Sequence, residues 1–95
     1  MGQRAEHVYT EQRDIARIEA WVGQLDDEER VAVRLADGTR IDGVVAARPT
    51  VQVFMDESGN EGMNALVRID DAAVPEQAHY VWLDRIVDVR RLGTA

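Results

Sequence analysis

A few stretches of this sequence hold residues whose types and spacing could do chemistry. The run Asp56-Glu57-Ser58-Gly59-Asn60-Glu61-Gly62 sets side-chain oxygens at alternate positions, as a loop around a hard cation such as calcium does. Its glycine falls at the seventh place rather than the sixth, and the twelfth place is Val67 instead of a bidentate glutamate, so a hairpin turn is the expected use of the run. His7 and His79 are isolated, without the paired spacing that binds zinc. Ser58 lies in a glycine-flanked loop and not on a strand-to-helix elbow, so nothing activates it as a nucleophile. Carboxylates are plentiful, yet no spacing singles out two of them as an acid–base pair. The reading is no catalytic residue, no metal ligand set and no cofactor.

The remaining candidates bind rather than react. Trp21, Tyr80 and Trp82 offer faces on which bases stack, and Arg48, Arg68, Arg85, Arg90 and Arg91 offer partners for phosphate. Each of these arginines has acids close by in the chain, which favours surface ion pairs instead. Eighteen acidic residues against eleven arginines, with no lysine, give a net charge of -7. That balance removes duplex DNA as a partner and disfavours RNA. The absence of cysteine excludes disulfides, thiolate zinc sites, iron–sulfur clusters and a cysteine nucleophile.

Such residues need a scaffold, and 95 residues supply one domain, 1–95. Apolar residues at 45% and charged residues at 31% make an ordinary globular mixture. The first residues lack the apolar stretch of a secretion signal, so cytoplasm is the expected location. Apolar runs such as Val44-Val45-Ala46-Ala47 are far short of the ~18 residues that cross a bilayer. Thr10 reads as an N-cap, with Glu11 and Asp14 in the first turn, and Ile15, Ile18, Val22 and Leu25 recur at helical spacing beside Trp21. A helix over 10–25 follows, with the acidic run 26–29 as a solvated loop.

From Arg30 the apolar period changes to two. Val31, Val33 and Leu35 lead to the hairpin turn Asp37-Gly38, and Ile41, Gly43 and Val45 continue beyond it, Gly43 marking a sharp bend. Arg48-Pro49 interrupts the run; strands over 50–55 and 63–69 carry Val51, Val53, Met55 and then Ala65, Val67, Ile69. The stretch 79–92 is too long and too β-branched for one strand, so a corner is expected near Asp84-Arg85. The fold class expected is α+β, mainly β: one N-terminal helix, then a strongly bent antiparallel small barrel of five or six strands over 30–92.

The string Val31-Ala32-Val33-Arg34-Leu35-Ala36-Asp37-Gly38-Thr39 with Asp42-Gly43 resembles the first half of the Sm signature, and Met63-Asn64 through Asp70-Asp71 is similar to its end. The phrases at 48–54, 59–64 and 81–87 further resemble an uncharacterised family of short bacterial proteins with an Sm-like motif. The resemblance implies an Sm-like, SH3-type barrel and no established activity. Sm proteins hold single-stranded RNA with an Asp and an Asn in the third-strand loop and an Arg-Gly pair in the last corner. Here the resemblance offers Asn60, Asn64 and Arg85 as candidate RNA-binding residues, while the corner Leu83-Asp84-Arg85-Ile86 puts an acid where the phosphate-facing arginine would sit. The Lys-His pair of the bacterial RNA-chaperone branch is missing, and 48–61 reads as an insertion relative to a minimal Sm domain.

Sm-like barrels also present the edges of their last two strands to neighbours. The corresponding interface candidates are Tyr80, Val81, Trp82 and Leu83 on one strand and Val87 and Val89 on the next, with neither proline nor lysine to block pairing. Self-association into a dimer or ring is expected, with a protein partner as a further outlet. The functional reading is a non-catalytic Sm-like interaction or assembly module, with single-stranded RNA binding as the alternative.

Overall fold

A computed structural model describes residues 3–94, and its elements follow the change of period read from the sequence. Strand β1 (Gln3–Arg4) precedes helix α1 (Gln12–Val22); then come β2 (Glu29–Leu35), β3 (Arg40–Val45), β4 (Gln52–Met55), β5 (Glu61–Asn64), β6 (Leu66–Asp71) and β7 (Ala78–Trp82), a 3-10 turn (Leu83–Arg85) and β8 (Ile86–Thr94). The helix starts later than expected. Glu11, not Thr10, holds the N-cap position and makes no side-chain capping bond, and the helix ends at Val22, after which Gly23 and Gln24 turn the chain so that Leu25 is fully buried.

The hairpin between β2 and β3 forms where Asp37-Gly38 predicts it. Leu35 N–H donates to Thr39 O at 2.8 Å, Gly38 adopts φ 91°, and Asp37 Oδ1 accepts the Thr39 N–H at 2.9 Å. Around it β7, β6, β3, β2 and β8 pair in that order into one antiparallel sheet. Alternation turns Val31, Val33, Ile41, Val45, Val67, Ile69, Val81 and Ile86 inward, where they pack with Ile18 and Leu25 into a single core. Gly43 sits where β6 crosses closest: a Cβ there would lie 2.1 Å from Asp70 O and 2.7 Å from Ile69 Cγ2.

The expected barrel is not closed. Among the described residues β7 and β8 do not pair, although only three residues separate them. Those three span the gap themselves: Leu83 N–H donates to Ala65 O at 3.0 Å on one side, and Ala36 N–H donates to Arg85 O at 2.9 Å on the other. The corner replaces a strand-to-strand ladder with two single bonds, and both outer edges of the sheet stay open.

The inserted stretch makes a second layer. β4 and β5 form a hairpin, and β1 joins β4 in parallel, a pairing outside the all-antiparallel expectation. β5 and β6 are one continuous run broken at Ala65, whose N–H is taken by the Asn64 Oδ1 at 2.8 Å and so leaves the ladder. In β4 the buried residue is Phe54, while Val53 is 51% exposed. Phe54 faces Trp82 rather than the main core, which reverses the face implied for Val53 and Met55, while Val51, just before β4, does pack on the main core.

The segment before α1 straps this hairpin on both edges. Ala5 N–H donates to Met55 O at 3.0 Å along β4, and four residues later Tyr9 and Met63 exchange both backbone bonds, at 3.0 and 2.7 Å, on the far side of β5. Gly62 makes the crossing possible, because a Cβ there would stand 2.9 Å from both Tyr9 N and Tyr9 O. α1 then packs on the 3-10 turn and β5, with Ile18 fully buried and Trp21 half-buried against the core.

Candidate functional site

The corner between β7 and β8 is where the RNA-type reading would operate, and its charged residues face internal partners. Asp84 Oδ2 accepts the Tyr9 hydroxyl at 2.9 Å. Burial, this hydrogen bond and the adjacent carboxylate charge push the Tyr9 phenol up to about 12. Arg85 Nη2 reaches Asp37 Oδ2 at 3.1 Å, tying the corner to the β2–β3 turn. Hydrogen bonding by Thr39, through its N–H first and its side chain second, and then the Arg85 charge hold the Asp37 carboxyl below the usual carboxylate range.

The other two candidates are placed elsewhere. Asn64 is 1% exposed; its Nδ2 donates to His7 O at 2.9 Å while its Oδ1 accepts from Ala65. Asn60 sits at the tip of the β4–β5 hairpin, where Asp56 Oδ1 accepts the N–H groups of Ser58 and Asn60 and its Oδ2 accepts Asn60 Nδ2. Those donors hold the Asp56 carboxyl below the usual range, the Asn60 N–H most of all. The run that resembled a calcium loop is a hairpin turn. Asn60, Asn64 and Arg85 thus serve three separate local tasks and form no common hydrogen-bonded group.

The strand edges are the more developed feature. Asp71 N–H donates to Gln77 O and Leu83 N–H to Ala65 O, so the odd-numbered residues of β7 face β6 and the peptide groups of Ala78, Tyr80 and Trp82 point to the free edge. Side chains on this strand divide by face. Tyr80 is 65% exposed; Trp82 is half-buried and meets Phe54 edge-to-face, with centroids 5.0 Å apart at 83°. Val81 and Leu83 point into the core, so they are corrected from interface side chains to core residues. The alternation that exposes Tyr80 buries its neighbours.

On the opposite side, Leu35 bonds toward β3, so Arg34 and Ala32 face β8 through Asp88 and Arg90, leaving the Val89 peptide group on the free edge. Val87 is 48% exposed there, and Val89 packs partly on the core. Both edges are braced near their ends. Asp71 Oδ1 lies 2.9 Å from His79 Nε2 and Oδ2 accepts the N–H groups of Ala73 and Val74, folding 72–77 back from β7. Arg91 meets Glu29 at 2.8 Å and Asp26 at 2.7 Å, so two members of the acidic run read as a solvated loop hold β8 against β2. His7 and Tyr9, which carry the strap, have no periodicity or motif around them and left no sequence signal.

The sequence profile of a family described as a domain of unknown function, DUF3247, matches residues 2–92. The chain is similar to a protein of Xanthomonas campestris whose crystal structure is described as adopting a novel variant of Sm-like motif: 48% identity, a TM-score of 0.88, and coverage of 95% of this chain and 97% of that one. No curated protein matches the chain.

Proposed function

The chain belongs to the DUF3247 family of bacterial domains with an Sm-like fold, and on that premise we propose that it is a non-catalytic interaction module whose partners include further copies of itself. The observation that carries this reading is the pair of open edges at the two ends of one five-stranded sheet. Unpaired strand groups are templates for pairing, and proteins that stay monomeric blunt them with lysine, proline or a covering segment. Here neither edge strand contains lysine or proline, and the strap covers the edges of the β4–β5 hairpin instead. Because the two edges differ, β7 of one copy against β8 of the next is a head-to-tail contact, which closes into a ring when the rotation allows. RNA takes second place. The Asn64 amide is engaged inside the chain, Arg85 is paired with Asp37, and the net charge is -7.

Sedimentation velocity over a concentration series tests the reading. The expected result is a mass that grows with concentration and shrinks in Val89→Pro, which removes a donor from the free edge, with circular dichroism confirming that the variant remains folded. A protein that stays monomeric at high micromolar concentration overturns self-assembly. Salt-sensitive micromolar binding of U-rich or A-rich oligonucleotides by fluorescence anisotropy would put RNA first.

A further inference from the structure

The outward face of the five-stranded sheet carries a group of charges that neither the edges nor the corner uses. β2 is the central strand of this group. Its Arg34 is paired in register with Arg40 on β3 and with Asp88 on β8, and its Ala32 is paired with Asp42 and Arg90. Three exposed arginines, Arg34, Arg40 and Arg90, therefore surround one small side chain, and with Asp88 they line an open depression of about 280 Å³. Arg34 directly opposite Arg40 is a like-charge cross-strand pair, an arrangement that costs stability unless something offsets it. Among the described residues the arginine ion pairs belong to Arg17, Arg68, Arg85 and Arg91, and to none of these three.

We propose that this depression is a binding site for a compact, multiply charged phosphate group of the pyrophosphate type, held by the guanidinium groups of Arg34, Arg40 and Arg90 over Ala32. Guanidinium forks match phosphate oxygens in geometry, and a dianion or trianion between Arg34 and Arg40 turns their mutual repulsion into attraction. Ala32 is the only uncharged residue in the six-residue patch of its two rows, so it leaves the space that the ligand fills. Asp88 within the depression and Asp42 beside Ala32 keep the positive area small, and a chain of net charge -7 repels an extended polyanion beyond it. The site is selective for a small ligand over a long strand for that reason. It is independent of the assembly reading, because it lies on a sheet face and the assembly contact on the edges.

Titration of the whole protein with inorganic pyrophosphate at about 50 mM salt, followed by amide NMR shifts, tests the site. The expected result is saturable binding that weakens with salt, with shifts centred on Ala32, Arg34, Arg40 and Arg90. Arg34→Gln and Arg40→Gln each lower affinity roughly tenfold, the worth of a charge-assisted hydrogen bond, while Arg13→Gln on α1 leaves it unchanged. These are exposed positions, and Arg40→Gln removes a like-charge pair, so the variants are expected to fold. Shifts that do not saturate, or that appear equally around Arg13 and Arg48, would show an adventitious ion only and overturn the proposal. Single-stranded RNA that binds the same residues more tightly than pyrophosphate would also overturn it, in favour of an extended polyanion.

Discussion

Asn64 grips His7 across 57 residues of chain: its buried Nδ2 donates to the His7 carbonyl at 2.9 Å while its Oδ1 accepts the N–H of Ala65 at 2.8 Å. One side chain thereby interrupts the β5–β6 run and fastens the N-terminal strap over the break. Asn64→Ala leaves the buried Ala65 N–H without a partner and frees the His7 carbonyl from its clasp, and a loss of about 1–3 kcal/mol in urea unfolding is expected. Faster hydrogen exchange at Ala5 and Tyr9 should accompany it. Unchanged exchange in the strap would mean that the carboxamide does not hold it.

Gly43 and Gly62 are each needed for a close crossing, but of different elements. Gly43→Ala forces a methyl against the Asp70 backbone at the centre of the main sheet, and a loss of about 3 kcal/mol or more is expected, because neither strand can withdraw without breaking the core. Gly62→Ala collides with the Tyr9 backbone instead. The strap can lift, so a smaller loss of about 1–2 kcal/mol is expected, confined to residues 3–9 in hydrogen exchange.

Alkaline pH should loosen the strap through Tyr9. The phenol titrates near its ordinary value of 10.0 when unfolded and at about 12 when folded, so between those values the folded chain binds more protons. Stability is therefore full below pH 10 and falls as pH rises toward 12. Tyr9→Phe, which also removes the bond to Asp84, should flatten that part of the stability profile. A profile identical in wild type and Tyr9→Phe between those limits would contradict the assignment.

Acid should act at the other end of the sheet. The hydrogen bond from His79, then the N–H groups of Val74 and Ala73, hold the Asp71 carboxyl below its ordinary value of 3.8. A depressed carboxylate contributes stability that is present above 3.8 and lost as pH falls through the folded value. Asp71→Ala should open the 72–77 loop at neutral pH and speed exchange at Ala73 and Val74, measured by NMR. Equal exchange in variant and wild type would show that the loop is held by other contacts.

The period-two pattern was readable because side-chain alternation is a local property of a strand. It placed Val31 and Val33, Ile41 and Val45, Val67 and Ile69 correctly on one face, and the Asp37-Gly38 turn fixed the register of the first hairpin. The corner near Asp84-Arg85 was readable for a related reason, since a β-branched run of that length has to bend. Helix α1 showed in its spacing, whereas its cap did not, because Glu11 takes the N-cap position without any side-chain bond for a motif to record.

What remained hidden depends on contacts between segments far apart in the chain. Asn64 stands in an RNA-type motif, and only the approach of His7 makes it a buried clasp. Phe54 rather than Val53 is buried because β4 leaves the main sheet and packs toward Trp82, a choice that alternation within β4 cannot make. Arg34, Arg40 and Arg90 look unrelated along the chain and converge only through the registers of β2 with β3 and β8. Local backbone preference and apolar period were enough to locate α1, the β2–β3 hairpin and the corner before β8, though not β1 or the break between β5 and β6. Which edges stay open, which polar groups are already engaged and which charges share a surface emerge from the folded chain alone, since each is set by the position of a partner that local sequence does not encode.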